Sequence, residues 1–326
     1  MAYRPPQRRA GGRGRTWLAA TVMLAFAAAL AATGCSSSAS NGSATTQTAE
    51  PAQQASFPVE ITDDASRTVT VAKEPLRIVS LAPANTEILT ALGLGNRLVG
   101  VTTYDDYPPS VKDLPKMGDF VNPNIEAIGA AQPDLIVATT GVQADVLKKL
   151  ESLGAVVLAV DPTTLEGLYT DIGRIGDATG TKVNAEDLVK TMRSQIGAIS
   201  SAVAKEEPLS VFVEIGQNPL YTVGSSTLID EMLRAAGGVN VVSAPGYVAY
   251  SLEQLVKDDP DAYMATMGTM SDPSDLGKRA GYDKLRAVVN KRVYLLQDNL
   301  VTRPGPRIVE GVRMMAADLH PDVFSK

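Results

Sequence analysis

Reactive side chains are scarce in this sequence. It has one histidine, His320, close to the C-terminal end, and one cysteine, Cys35. A zinc centre built from imidazole or thiolate ligands needs a cluster of such groups, and one of each does not make one. No G-x-S-x-G elbow or phosphate-binding P-loop occurs. Gly93-x-Gly95 lacks the third glycine of a dinucleotide fingerprint and follows a helical pattern instead of a strand, so it reads as a helix C-terminus. His320, just ahead of Pro321, fits a helix end, where an imidazolium meets the negative end of the dipole. The residues point away from an enzyme: no catalytic residue, metal ligand or cofactor is assigned.

The positive signal is aromatic. Tyr104, Tyr107, Phe120, Tyr221, Tyr247 and Tyr250 all fall in loops predicted to follow strands. Open α/β sheets bind ligands beyond the carboxyl ends of their strands. A tyrosine offers an apolar face and a polar tip, which suits a flat ligand with a polar fringe. The alternative for each ring is to anchor its own loop, as Tyr107 could do ahead of Pro108-Pro109.

Two glutamates sit in repeated settings. Asn124-Ile125-Glu126 precedes Pro133-Asp134, Ser251-Leu252-Glu253 precedes Pro260-Asp261, and the Glu-to-Pro spacing is seven in both. Each acid falls in the first turn of a predicted helix, where the dipole favours it by about 0.3–1 kcal/mol. That accounts for either glutamate alone. The repetition supports a second reading, in which one exposed acid on each of two similar lobes meets a partner with two-fold symmetry.

The elements that must position these residues alternate. Val59–Ile61 and Thr68–Val71 flank Asp63-Asp64 as a small hairpin. Strands are predicted at 77–81, 98–101, 135–138 and 156–160, with helices at 86–92 (Asn85 as its cap), 125–131 and 142–153 between them. The segment 165–205 lacks strand signals, and its second half carries Val183, Leu188, Met192, Ile196, Ile199 and Val203 at helical spacing. After Pro208 the alternation resumes, with strands at 210–215, 262–265 and 293–296, and helices at 227–236, 252–258 and 306–319. Short strands alternating with helices imply parallel α/β sheets. The expected architecture is α/β: two Rossmann-like lobes, 57–164 and 208–326, joined by a long helical segment, 165–207, with a ligand cleft between the lobes.

The N-terminal stretch is of a different kind. Arg4, Arg8, Arg9, Arg13 and Arg15 precede an apolar run from Trp17 to Ala32, as in a secretory signal. The Arg8-Arg9 pair is not followed by the rest of a twin-arginine pattern. Leu30-Ala31-Ala32-Thr33-Gly34-Cys35 is similar to a bacterial lipobox, in which the cysteine becomes the acylated first residue; the alternative is an unmodified cysteine in an ordinary signal. Residues 1–34 read as the signal, and the Ser/Thr/Ala/Gln-rich 35–56 as a flexible tether from lipid to domain. Cleavage removes five of 30 basic residues and none of 36 acidic ones, leaving a net charge near −11. That balance argues against nucleic acid, whose affinity rests on Lys and Arg.

Residues 57–326 resemble the binding proteins for vitamin B12, haem and ferric siderophores, the type with a helical backbone between its lobes. The resemblance is carried by Ile78-Val79-Ser80-Leu81-Ala82-Pro83-Ala84-Asn85-Thr86-Glu87, by Gly100 through Pro108, by Asn124-Ile125-Glu126 with Gln132 through Val137, and by Arg303-Pro304-Gly305-Pro306-Arg307-Ile308. It implies an extracytoplasmic, lipid-anchored monomer that hands a small molecule to an ABC permease dimer and its ATPase, with Glu126 and Glu253 docking on permease arginines. The loop Tyr104–Pro108 resembles most closely that of the B12 binders. By position the resemblance implies a corrinoid ligand held by Tyr104, Phe120, Tyr221, Tyr247, Asn299 and Arg303. Asn299 replaces an acid of those proteins, and their cleft tryptophans have no counterpart here, since the only tryptophan is Trp17. Ferric siderophore, with Arg303 as a basic contact, or haem, with Tyr104 on iron, is the alternative.

Overall fold

The computed structural model describes residues 56–266 and 273–324; the expected signal, Cys35 and all but the last residue of the expected tether lie outside them. The hairpin is present. Strand β1 (Val59–Thr62) pairs antiparallel with β2 (Thr68–Val71), and the Asp63 carboxylate closes the turn by accepting the backbone N–H groups of Ala65 and Arg67, both at 3.0 Å.

The N-terminal lobe follows as β3 (Ile78–Ser80), α1 (Pro83–Ala91), β4 (Leu98–Gly100), α2 (Ile125–Ala130), β5 (Leu135–Ala138), α3 (Ala144–Ser152) and β6 (Val157–Ala159). Its strands are parallel in the order β4-β3-β5-β6. Every residue of β3, β5 and β6 is buried, as a parallel sheet covered on both faces requires.

Two helices, α4 (Leu165–Thr179) and α5 (Lys182–Val203), then lead to the second lobe. The periodicity predicts only the second of them. Yet α4 has ordinary signals: Thr164 Oγ1 accepts the Gly167 N–H at 2.9 Å at its start, and Gly180, at φ 73°, ends it. The two helices approach closely at Gly176 of α4, where a Cβ would lie 2.5 Å from that of Ala185 on α5.

The C-terminal lobe comprises β7 (Leu209–Gln217), β8 (Leu220–Val223), α6 (Leu228–Ala235), β9 (Gly238–Asn240), β10 (Tyr247–Ala249), α7 (Leu252–Asp258), β11 (Ala262–Thr266), α8 (Arg286–Val289), β12 (Val293–Leu296), α9 (Asp298–Val301), α10 (Ile308–Leu319) and α11 (Pro321–Phe324). Its parallel strands run β9-β7-β11-β12, the same second-first-third-fourth order as in the first lobe. The repeated Pro-Asp pairs have one role. Asp134, ahead of β5, accepts the backbone N–H groups of Leu76 and Arg77 before β3; Asp261, ahead of β11, accepts that of Ser210 at the start of β7. Each carboxylate thus ties the third strand of a lobe to the entry of the first.

The lobes differ in one feature that local sequence patterns do not announce. β7 is nine residues long, and beyond its parallel partner it pairs antiparallel with β8, which pairs with β10. Gly216 sits at a register shift near the end of β7 and Pro219 in the β7–β8 turn, and read alone they suggest a loop. Asn85, expected as the cap of the N-terminal lobe's first helix, is not its cap. Helix α1 starts earlier, with Pro83 in its first turn and Ala82 as the N-cap residue; Asn85 is buried inside the helix and donates to the Ala138 carbonyl at 3.1 Å. Gly93 ends α1 at φ +85°, as expected.

One apolar core runs through both lobes. It joins the hairpin, one face of each sheet, and helices α1, α4, α5, α6 and α10. Separate clusters fill the outer sheet faces, beneath α2 and α3 in the first lobe and α7 and α8 in the second.

Within this layer α4 carries a fully buried acid, Asp171, bonded to Arg174 at 2.6 Å, with one carboxylate oxygen lacking a partner. Burial pushes its pKa up to about 7, against the pull of Arg174 and with help from the neighbouring Asp64. A carboxyl whose folded pKa exceeds its unfolded value stabilises the fold when protonated, and that contribution fades as pH rises from about 4 to about 7. The melting temperature is expected to rise as pH is lowered from 8 to 5.5. Asp171→Asn should be the more stable protein at pH 8, by about 1 kcal/mol, and its melting temperature should depend less on pH across that range.

Candidate ligand cleft

A cavity of about 710 Å³ opens between the lobes. Its walls are the carboxyl ends of strands and the starts of helices, where an α/β sheet leaves backbone groups and loops free. From the first lobe come Ala82 to Asn85 at the start of α1, Tyr104 after β4, Phe120 in the loop before α2, Thr139 after β5, and Val160 to Thr163 after β6. From the second come Ser226 to Leu228 at the start of α6, Gly246 and Tyr247 at β10, and residues of the 298–304 segment. One helix N-terminus from each lobe therefore faces the same space, each a source of partial positive charge. Thr227 caps α6 by accepting the Asp230 N–H at 3.2 Å, whereas no side chain caps α1.

The structure brings together five of the six expected ligand residues: Tyr104, Phe120, Tyr247, Asn299 and Arg303 all line this cavity. Tyr104 and Tyr247 are more than half exposed in it. Tyr221 does not line it. Its place on β8, opposite Ala249 of β10, puts it on the same face of the ribbon as Tyr247 but one pair further out. The other loop aromatics prove to be anchors. Tyr107 lies under the Arg307 guanidinium, 4.1 Å from ring centroid to carbon, and Tyr250 packs against Phe212 at 5.4 Å and donates to Asp258. Glu126 and Glu253 lie away from the cavity, exposed in the first turns of α2 and α7. Their helices are capped alike, by Asn124 accepting from the Ala127 N–H and Ser251 from the Gln254 N–H.

Charge crosses the cleft at its wall. Glu87 on α1 is almost fully buried and accepts Arg307 through both oxygens, at 2.8 and 2.5 Å. Arg303 Nη1 donates to Asp106 at 2.6 Å and to Glu87 at 3.4 Å, and its Nη2 reaches the Tyr104 carbonyl at 3.4 Å. Asn299 donates to the second Asp106 oxygen at 3.3 Å. Burial pushes the Asp106 carboxyl up, but the bond and charge of Arg303 outweigh it and hold it below its ordinary range. Asp298 goes the other way, raised by burial against the field of Arg303.

The match to known families is direct. Residues 78–300 fit the model of the periplasmic binding proteins. The chain belongs to this family. Within it, the chain is 40% identical over 279 residues to an uncharacterised ABC transporter substrate-binding lipoprotein of Bacillus subtilis, covering 83% of this chain and 88% of that one. It is 31% identical over 241 residues to a vitamin B12-binding protein of Vibrio campbellii, covering 72% and 86%. A crystal structure from Staphylococcus epidermidis, described as a possible iron-binding periplasmic solute-binding protein, superposes with a TM-score of 0.70 at 36% identity, covering 76% of this chain and all of that one.

Several residues that build the site were missed in the sequence. Gln143, fully buried, donates to the carbonyls of Leu81 at 2.7 Å and Phe120 at 2.8 Å and accepts the Thr139 N–H at 3.0 Å, so it holds three wall segments together. Glu87 and Arg307 are 220 positions apart, and no local pattern connects them. Removing one partner of a buried ion pair strands the other charge, at about 3–5 kcal/mol. Glu87→Gln keeps the shape and removes the charge, so urea unfolding should show a loss near the lower end, about 3 kcal/mol.

Proposed function

We propose that this chain is the extracytoplasmic receptor of an ABC importer, lipid-anchored through Cys35, and that its cleft takes a corrinoid, which it delivers unchanged to the permease. The observation that supports this reading is the makeup of the cleft wall: aromatic side chains from both lobes, two helix N-termini and, among the described lining residues, a single cation, Arg303, already paired with carboxylates. Such a wall recognises by ring contact and by hydrogen bonds to neutral groups. A corrinoid, a broad ring system fringed with amides, presents such groups. The cleft volume is in the range of small-molecule sites. The name of the Vibrio campbellii relative is in keeping with this ligand, and the Bacillus subtilis relative with a lipoprotein receptor.

A second reading rests on Tyr104. Its ring is 57% exposed and lines the cleft, and a phenol oxygen there suits ferric iron, in haem or a siderophore. The description of the Staphylococcus epidermidis relative is in keeping with it. Incubation of the purified protein with cyanocobalamin, haemin or a ferric siderophore, followed by desalting, separates the two. Retained cyanocobalamin absorbance is expected; colour retained only with an iron compound transfers the assignment to the second reading. Affinity follows from tyrosine fluorescence, since the chain after Cys35 has no tryptophan.

Docking is assigned to Glu126 and Glu253, one exposed acid on the outer helix layer of each lobe. Replacing both with alanine should abolish uptake in cells while cyanocobalamin affinity of the purified protein stays within about three-fold. Uptake at the parent rate would remove the docking role.

A further inference from the structure

The cleft holds one cation among its described lining residues, and that cation is already engaged. Arg303 is 15% exposed and lies between Glu87 and Asp106. The two carboxylates are not equivalent. Glu87, on the buried side, has a cation of its own in Arg307. Asp106, half exposed, forms its ion pair with Arg303, while Asn299 steadies its other oxygen. Glu87 and Asp106 stand behind Arg303, and two other acids, Asp161 and Asp298, line the cavity itself. A ligand carboxylate or catecholate that sought Arg303 would have to displace Asp106 or share the guanidinium with it. Either way it would bring a like charge beside Asp106 and Glu87, at a cavity that Asp161 and Asp298 also line. A neutral carbonyl meets no such repulsion and can still accept a spare guanidinium N–H.

We propose that Asp106 is the specificity-determining residue of the cleft: by pairing with Arg303 across the lobes, it withdraws the one lining cation from ligands and excludes polyanions. This rests on the reading of the cleft as the ligand site and deepens it by naming the class of ligand refused. The pairing reaches between lobes, from the loop after β4 to the segment after α9, so it acts where the two walls meet. It is also an ionic device, so its effect weakens as salt screens the charges.

The test compares the parent chain with Asp106→Asn, a change of charge without change of shape at a half-exposed position. Asp106→Ser serves as a second variant. The probes are cyanocobalamin, which has no net charge, and a ferric tris-catecholate trianion. In Asp106→Asn the ratio of affinities should shift at least ten-fold toward the trianion, with the gain shrinking in high salt. Adding Arg303→Ala should remove the gain. An unchanged ratio, or a gain that survives Arg303→Ala, overturns the proposal. The corrinoid assignment fails separately. A parent chain that does not bind cyanocobalamin sinks that assignment, and the trianion affinity of the variants, read alone, still decides the role of Asp106.

Discussion

Two sheets built around parallel strands that are buried on both faces have to be covered twice, and this chain covers their inner faces with one shared layer of helices. The main core includes Ile78, Leu135 and Leu158 of the first sheet, Val211, Val213 and Met264 of the second, and Leu168, Ile172, Ile175, Ile196 and Ile199 of the helices between. Opening the lobes widely would expose that layer, at roughly 25 cal/mol for each Å² of apolar surface. The shared layer thus opposes wide separation of the two walls, and a site whose walls are already arranged costs less to occupy. The close approach of α4 and α5 at Gly176 belongs to the same constraint. A side chain there would collide with Ala185 and push the two helices apart.

On this frame the lobes repeat one plan. Both have the second-first-third-fourth strand order, the carboxylate that ties strand three to the entry of strand one, and a short capped helix with an acid in its first turn. They diverge where the cleft is built. The second lobe extends β7 and adds the β8–β10 ribbon, which delivers Tyr247 to the wall. The first lobe instead uses loops, with Tyr104 shaped by Asp105, whose carboxylate accepts the Thr102 N–H at 2.9 Å, and Phe120 held through its carbonyl by Gln143. A common scaffold with unlike rims yields one aromatic wall from a strand and one from loops.

The parts legible in the sequence are those that local periodicity writes. Strands such as Leu135–Ala138 are buried on both faces and read as continuous apolar runs. Helix ends carry Asn124, Ser251 and Gly93 as signals. The repeated Pro-Asp pairs announce two lobes of one plan. Illegible were features set by partners far along the chain. Asn85 looks like a cap, but it lies within α1 because Pro83 begins the helix and Ala138 supplies an acceptor. Tyr107 and Tyr250 look like Tyr104 and Tyr247, yet Arg307 and Asp258 hold them elsewhere. Tyr221 does not line the cavity, for a register reason: it lies across from Ala249, so the strand carries it outward from the pair that reaches the cavity.

The charges at the cleft wall are the least legible part and the most informative about recognition. A buried ion pair is a weak source of stability, because desolvation cancels much of the attraction. Its value here is positional. Glu87 fixes Arg307, and Arg303 stands between Glu87 and Asp106, so two guanidinium groups from the second lobe meet two carboxylates from the first in a defined geometry. With Asp161 and Asp298 in the wall itself, acids at the cleft outnumber bases among the described residues. A chain that carried the same aromatics with its arginines unpaired would present an anion site. Pairing them across the lobes turns the same residue types into a neutral-to-acidic surface, and residue type alone, read from a sequence, does not distinguish the two.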